Sequence, residues 1–171
     1  MTGPGRGGEP GAGAPENRPD HDAHGRRFGI VAARFNGELV ERLVAGARAV
    51  LRARGAGDAD LEIVRVPGSF ELPLVCRWLA ESGRYDAVLA FGVLIEGETE
   101  HFRLVAEAAT DGLQRIALDT GVPVLHGVLA TRDRAQAEAR SGGEHNRGAE
   151  VALAAVAMAN LRRARGVRER A

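Results

Sequence analysis

The segment Gly97-Glu98-Thr99-Glu100-His101 sets a hydroxyl and an imidazole two residues apart at the start of a helix-patterned stretch. The free N–H groups of a helix N-terminus, together with its dipole, favour phosphate or another anion. Thr99 can donate a hydroxyl hydrogen bond to such an anion, or serve only as a helix cap. His101 falls in the first turn. An imidazole, with an ordinary pKa of about 6.5, exchanges protons at neutral pH; the bland alternative is a solvated surface histidine. Glu96, Glu98 and Glu100 would repel an anion unless their carboxylates point away.

Pro67-Gly68-Ser69-Phe70-Glu71 is a turn that runs into a helix. Its glycine lets a ligand approach the backbone. Glu71 can accept hydrogen bonds from sugar-type hydroxyls or simply favour the helix start. Phe35, in Arg34-Phe35-Asn36, can stack on a flat ring or pack at a strand end. Arg140, before Ser141-Gly142-Gly143, can clamp a phosphate bidentately or stay solvated. His126 and His145 lack metal-ligand spacing with His101, so no metal site is expected. Cys76, Trp78 and Met158 are expected to be packing residues.

These groups need a frame. Phe28–Ala33 is a short apolar run, as a buried parallel strand requires. Asn36 is placed to cap a helix carrying Leu39, Leu43, Ala47, Val50 and Leu51 at helical spacing. Leu61–Val66 reads as a second strand, followed by a helix over about 70–82. Asp86–Ile95 is the third strand, and the next helix carries Phe102, Val105, Ala109, Leu113 and Ile116 on one side as far as Gly121. A fourth strand over 122–129, a short helix over 133–140 and a last helix over 148–163 complete the series. The alternation predicts an α/β fold: a three-layer α/β/α sandwich on a four-stranded parallel sheet with right-handed crossovers, in the flavodoxin-like order 2-1-3-4. Ligands of such sheets bind beyond the carboxyl ends of the strands. The loops at 34–37, 67–71, 93–101 and 127–132 are therefore where the chemistry is expected.

The whole chain has 171 residues, 44% of them hydrophobic, enough for one domain with a substantial core. Its 23 basic residues are balanced by 23 acidic ones. No global charge draws it to nucleic acid or a membrane surface, and its apolar runs are too short to span a bilayer. All 23 basic residues are arginine, so no lysine Schiff base can form. One cysteine excludes an internal disulfide, and no apolar leader begins the chain. A cytoplasmic location is expected. Residues 1–27 hold seven of the 23 glycines and four of the seven prolines, and their apolar residues are only Met1, Ala12, Ala14 and Ala23. They read as a disordered tail, before a domain over 28–165 and a basic end over 166–171.

The motifs Arg34-Phe35-Asn36, Val66-Pro67-Gly68-Ser69-Phe70-Glu71-Leu72-Pro73, Gly97-Glu98-Thr99-Glu100-His101-Phe102, Thr120-Gly121-Val122-Pro123-Val124, Asn146-Arg147-Gly148-Ala149-Glu150 and Ala157-Met158-Ala159-Asn160-Leu161 stand in order along the chain. Each is weak alone. Together, from Phe28 to Leu161, they resemble the 6,7-dimethyl-8-ribityllumazine synthases. The resemblance implies condensation of 5-amino-6-(D-ribitylamino)uracil with 3,4-dihydroxy-2-butanone 4-phosphate, releasing phosphate, with no cofactor. It implies that His101 is the proton-moving histidine and that Glu98, Thr99 and Arg140 bind the phosphate. By the same resemblance Phe35 stacks on the pyrimidine, Ser69, Phe70 and Glu71 hold the ribityl chain and ring, and Val93, Leu94 and Ile95 read the uracil edge through their backbone.

Two positions depart from the family pattern. His126 stands where an aromatic from a neighbouring subunit usually completes the site, and Arg147 stands where lysine is usual. The segment 141–146 also looks about one residue shorter than the common form. The resemblance further implies a homo-oligomer, a pentamer or an icosahedral 60-mer, with the site between subunits. It names riboflavin synthase as a further partner, while the balanced charge and short apolar runs leave no nucleic-acid or membrane partner expected. Rival readings are an archaeal-type riboflavin synthase, which the complete Gly-x-Thr-x-His motif disfavours, and a non-catalytic flavin- or lumazine-binding or shell-forming homologue.

Overall fold

The computed structural model describes residues 20–166. The expected tail over 1–19 and the basic end beyond Gly166 lie outside the described residues. Strand β1 (Phe28–Ala33) leads to helix α1 (Gly37–Ala53), β2 (Leu61–Val66) to α2 (Leu72–Glu81), and β3 (Ala87–Ile95) to α3 (His101–Thr120). Strand β4 (Val124–Thr131) is followed by α4 (Arg134–Ser141) and α5 (Arg147–Ala164). The four strands are parallel and ordered β2-β1-β3-β4, the order expected. Every residue of β1 is buried, and so is every residue of β3 before Ile95. Strands covered on both faces gain nothing from polar alternation, hence the unbroken apolar runs.

Successive residues of β1 serve opposite layers, as the pleat dictates. Phe28, Ile30 and Ala32 pack with Leu89 and Phe91 of β3 under α1 and α5. Val31 and Ala33 pack with Val88, Ala90 and Leu94 under α2 and α3. Phe91 is fully buried; truncating such a phenylalanine to alanine costs about 3–5 kcal/mol. Helices α1 and α5 cross with almost no gap, since a Cβ on Gly148 would overlap the Leu43 carbonyl. Asn146 pins this crossing. Its Oδ1 accepts from Ala149 N (3.2 Å), and its Nδ2 donates to Ser141 O (2.7 Å) and Arg42 O (3.0 Å).

Several boundaries differ from the sequence reading. Strand β4 begins at Val124, since Pro123 has no N–H to give the ladder. It runs on to Thr131, which pairs with Ile95. A 3-10 turn over Ser69–Glu71 precedes α2. Residues 20–27, composed like the tail, lie against the domain. Ala23 is fully buried, and its N–H donates to Arg54 O (2.8 Å). Asn160 of α5 donates to Asp20 O (3.1 Å) and Asp22 O (2.8 Å) and accepts from Arg26 Nε (2.6 Å). Cys76 is buried as expected, and desolvation pushes its thiol far up. Trp78 and Met158, expected to pack, are 59% and 42% exposed. Trp78 sits on the outer side of α2, whose inner side is Leu72, Cys76, Leu79 and Ala80. Among the described residues no helix is long and apolar enough to cross a membrane.

Candidate active site

The end of β1 is tied to both neighbouring strands. Arg34 N donates to Val66 O (2.8 Å) and Phe35 N to Pro67 O (3.1 Å), so the chain follows β2 past its last residue. Asn36 then turns into the left-handed region with φ of 53°, a conformation that asparagine tolerates better than most residues. Its side chain does not cap α1, contrary to expectation. The left-handed turn directs it across to β3 instead, where Nδ2 donates to Val93 O (2.8 Å). Phe35 is left 66% exposed rather than packed.

The turn after β2 is held by its own carboxylate: Gly68 N donates to Glu71 Oε2 (2.9 Å). Ser69 is buried directly on β3, where a Cβ on Gly92 would overlap its hydroxyl. Only glycine at 92 lets the 3-10 turn sit this close to the sheet. Phe70 is turned outward, 62% exposed. Beyond Ile95 the chain runs through an exposed segment to His101, the first residue of α3. Thr99 does not cap this helix; Glu100 holds the cap position without a side-chain bond, because the chain is already helical there. The Glu100 carboxylate accepts from Arg103 Nε (2.9 Å), and Arg103 also reaches Glu107 (3.0 Å). Its charge is thus turned along the helix. Glu96 and Glu98 are exposed and do not line the cavity.

These loops enclose an open cavity of about 690 Å³ at the carboxyl ends of β1, β2 and β3, within the usual size for small-molecule sites. It gathers Phe35, Ser69, Phe70 and Glu71, together with Leu94, Ile95, Thr99 and His101. Phe102, Leu104 and Val105 add an apolar wall. The sequence reading gave Phe102 and Val105 to the helix's inner side and passed over Leu104. The signal was their place, directly after a loop that opens on the cavity. The described lining carries Glu71 and His101 but no arginine.

Four expected site residues lie elsewhere in this chain. Val93 is buried on the α1–α5 side, with its carbonyl taken by Asn36. Glu98 stays outside the cavity wall. His126 and Arg140 belong to a second cluster beside β4, the edge strand. There Arg147 Nη1 binds Glu150 Oε2 at 2.8 Å and Arg140 Nη2 lies 3.6 Å from the same oxygen. The Arg147 hydrogen bond holds the Glu150 carboxyl below the ordinary carboxylate range, with Arg140 and Arg147 charges adding to it. His126 Nε2 lies 2.9 Å from Thr110 Oγ1 of α3. Burial pushes its imidazole below the usual value; its own backbone carbonyl partly offsets this, and the Arg147 charge adds to the depression.

A family model described as 6,7-dimethyl-8-ribityllumazine synthase matches residues 25–163. A protein of that name from Stenotrophomonas maltophilia is 49% identical over 136 residues, covering 79% of this chain and 88% of its own. One from Thermococcus gammatolerans is 49% identical over 139 residues, 81% of this chain and 89% of its own. One from Thermococcus kodakarensis is 47% identical over 137 residues, 80% and 86% of the two chains.

Proposed function

The chain belongs to the 6,7-dimethyl-8-ribityllumazine synthase family, and on that premise we propose how its cavity and its basic cluster share the work. The protein is a transferase of riboflavin biosynthesis. It condenses 5-amino-6-(D-ribitylamino)uracil with 3,4-dihydroxy-2-butanone 4-phosphate to 6,7-dimethyl-8-ribityllumazine and phosphate. The uracil's amine attacks the ketone, water leaves and an imine joins the substrates. Loss of a carbon-bound proton expels phosphate. The ribityl-bearing nitrogen then closes the second ring, with loss of another water.

The observation that carries the site assignment is the convergence of three separated loops on one cavity. In this reading Phe35 stacks on the pyrimidine, and Ser69, Phe70 and Glu71 hold its ring and ribityl chain. Backbone groups of Leu94 and Ile95 read the uracil edge, and Val93 supports them from the strand. Thr99 and the backbone at Glu98 receive the phosphate at the start of α3. His101 moves protons during condensation and phosphate loss. Holding two reactants together supplies much of the rate.

The phosphate also needs a cation, which the cavity lining does not offer. Arg140, with Arg147, supplies it from the adjacent subunit in this reading, and His126 adds a flat ring in place of the usual aromatic. A contact that joins unlike surfaces head to tail closes into a ring when its rotation permits. The family resemblance makes that ring a pentamer, on which a 60-subunit shell can be built. Riboflavin synthase is the partner that takes the product, and the lone cysteine suits a cytoplasmic enzyme. The test is a condensation assay that follows the fluorescent lumazine above the spontaneous reaction, with His101→Ala and Arg140→Ala alongside. Turnover that falls in both supports the shared site. Full turnover in both removes it.

A further inference from the structure

Thr110 lies in α3, away from the cavity, and makes two contacts with one hydroxyl. Its Oγ1 is 2.8 Å from Ala106 O, the back-bond typical of a helical threonine, and 2.9 Å from His126 Nε2. A hydroxyl has one proton to give and two lone pairs. If that proton went to His126, Oγ1 and the Ala106 carbonyl would face each other as two bare acceptors. With the ring's other nitrogen turned to its own backbone carbonyl, either direction of the Thr110 bond leaves one such pair, and both directions hold the Nε2 edge 2.9 Å from the hydroxyl. His126 is itself half-buried on β4, with one ring edge thereby fastened to α3.

We propose that Thr110 is a positioning residue that fixes the ring orientation of His126. The inference rests on the reading that His126 faces the adjacent subunit's cavity, and it says what the histidine offers there. A ring held this way presents a flat face. Of the two substrates, only the aminouracil carries a flat ring to stack on it. Thr110 therefore tunes recognition of the pyrimidine substrate and leaves the phosphate substrate alone.

The test uses the assembled protein and Thr110→Val, which keeps the shape and β-branching at an exposed helix position but removes the hydroxyl. KM for the ribitylaminouracil rises about three- to tenfold, the range that one neutral hydrogen bond supports, while KM for the butanone phosphate holds. Thr110→Ser, which keeps the oxygen, restores the lower value. In a His126→Phe background Thr110→Val has no further effect, because the two residues act as a unit. Thr110→Val without effect, where His126→Ala raises that KM, overturns the positioning role but keeps His126 at the site. No effect from either variant overturns the placement of His126 as well. Additive effects in the double variant also overturn the proposal.

Discussion

The cavity above β1–β3 and the cluster beside β4 are made of opposite materials. The first is concave and largely apolar, with two aromatic rings turned outward, one imidazole, one carboxylate and no arginine in its described lining. The second is a set of two arginines sharing one carboxylate next to a half-buried histidine, on an exposed edge. The cavity can hold a flat ring and a sugar chain but cannot neutralise a phosphate. The cluster can neutralise a phosphate but encloses nothing. Each region has what the other lacks. In the proposed reading they are two halves of one site that meet between copies.

The strongest way to break this comparison is to separate the halves. A monomer made by an interface substitution should lose essentially all turnover; an active monomer would end the shared-site reading. Complementation sharpens the same point. His101→Ala and Arg140→Ala chains, each strongly impaired alone at a low concentration of the butanone phosphate, should recover about one quarter of wild-type activity there when dissociated, mixed equally and reassembled into rings at random. That fraction is the chance that an intact cavity meets an intact cluster. If both lesions fell in one chain's own site, mixing would recover nothing.

Next in size is His101→Ala, which removes the one imidazole in the cavity. General acid–base catalysis contributes about 10²–10⁴-fold, so kcat should fall by at least about 10²-fold, with both KM values changing little. An unchanged kcat would leave positioning as the whole source of rate. Arg140→Ala should act on the other axis. A hydrogen bond to a charged group contributes about 1.5–3 kcal/mol, so KM for the butanone phosphate should rise about 10- to 150-fold. KM for the ribitylaminouracil should hold. Equal losses for both substrates would place Arg140 in structure rather than in phosphate binding.

How far each region could be read from the sequence follows the range of the forces that build it. The strands were plain because burial on both faces leaves continuous apolar runs at 28–33 and 87–95. The cavity's polar members were plain because motifs at strand ends must face the ligand side of a parallel sheet. Asn36 was misread as a cap because its partner, the Val93 carbonyl, lies 57 residues away and no local pattern reports it. Trp78 was misread because residue type suggests burial, while the turn of α2 puts position 78 outside. The separation of Arg140 and His126 from the cavity was illegible to local reading. The expected strand order already put β4 at the sheet edge, but only the family resemblance pointed to a second subunit.

The smallest expected effect concerns Glu150, which holds the two arginines of the cluster on one carboxylate. Its carboxyl is held below the ordinary glutamate value, chiefly by the Arg147 hydrogen bond. A depressed carboxylate adds stability that is fully present above its unfolded pKa and is lost as pH falls through the folded one. The window therefore lies below about pH 4.5, and the increment stays under about 1 kcal/mol because all three side chains are exposed to solvent. Thermal unfolding across that range should show wild type above Glu150→Gln at neutral pH, with the two curves converging as acid protonates Glu150. A gap that stayed constant would mean that Glu150 acts by packing. Glu150→Gln should also free both arginines for the substrate, lowering KM for the butanone phosphate slightly. The carboxylate then restrains the cluster as well as ordering it, a task that does not arise in the cavity's described lining, which holds no arginine.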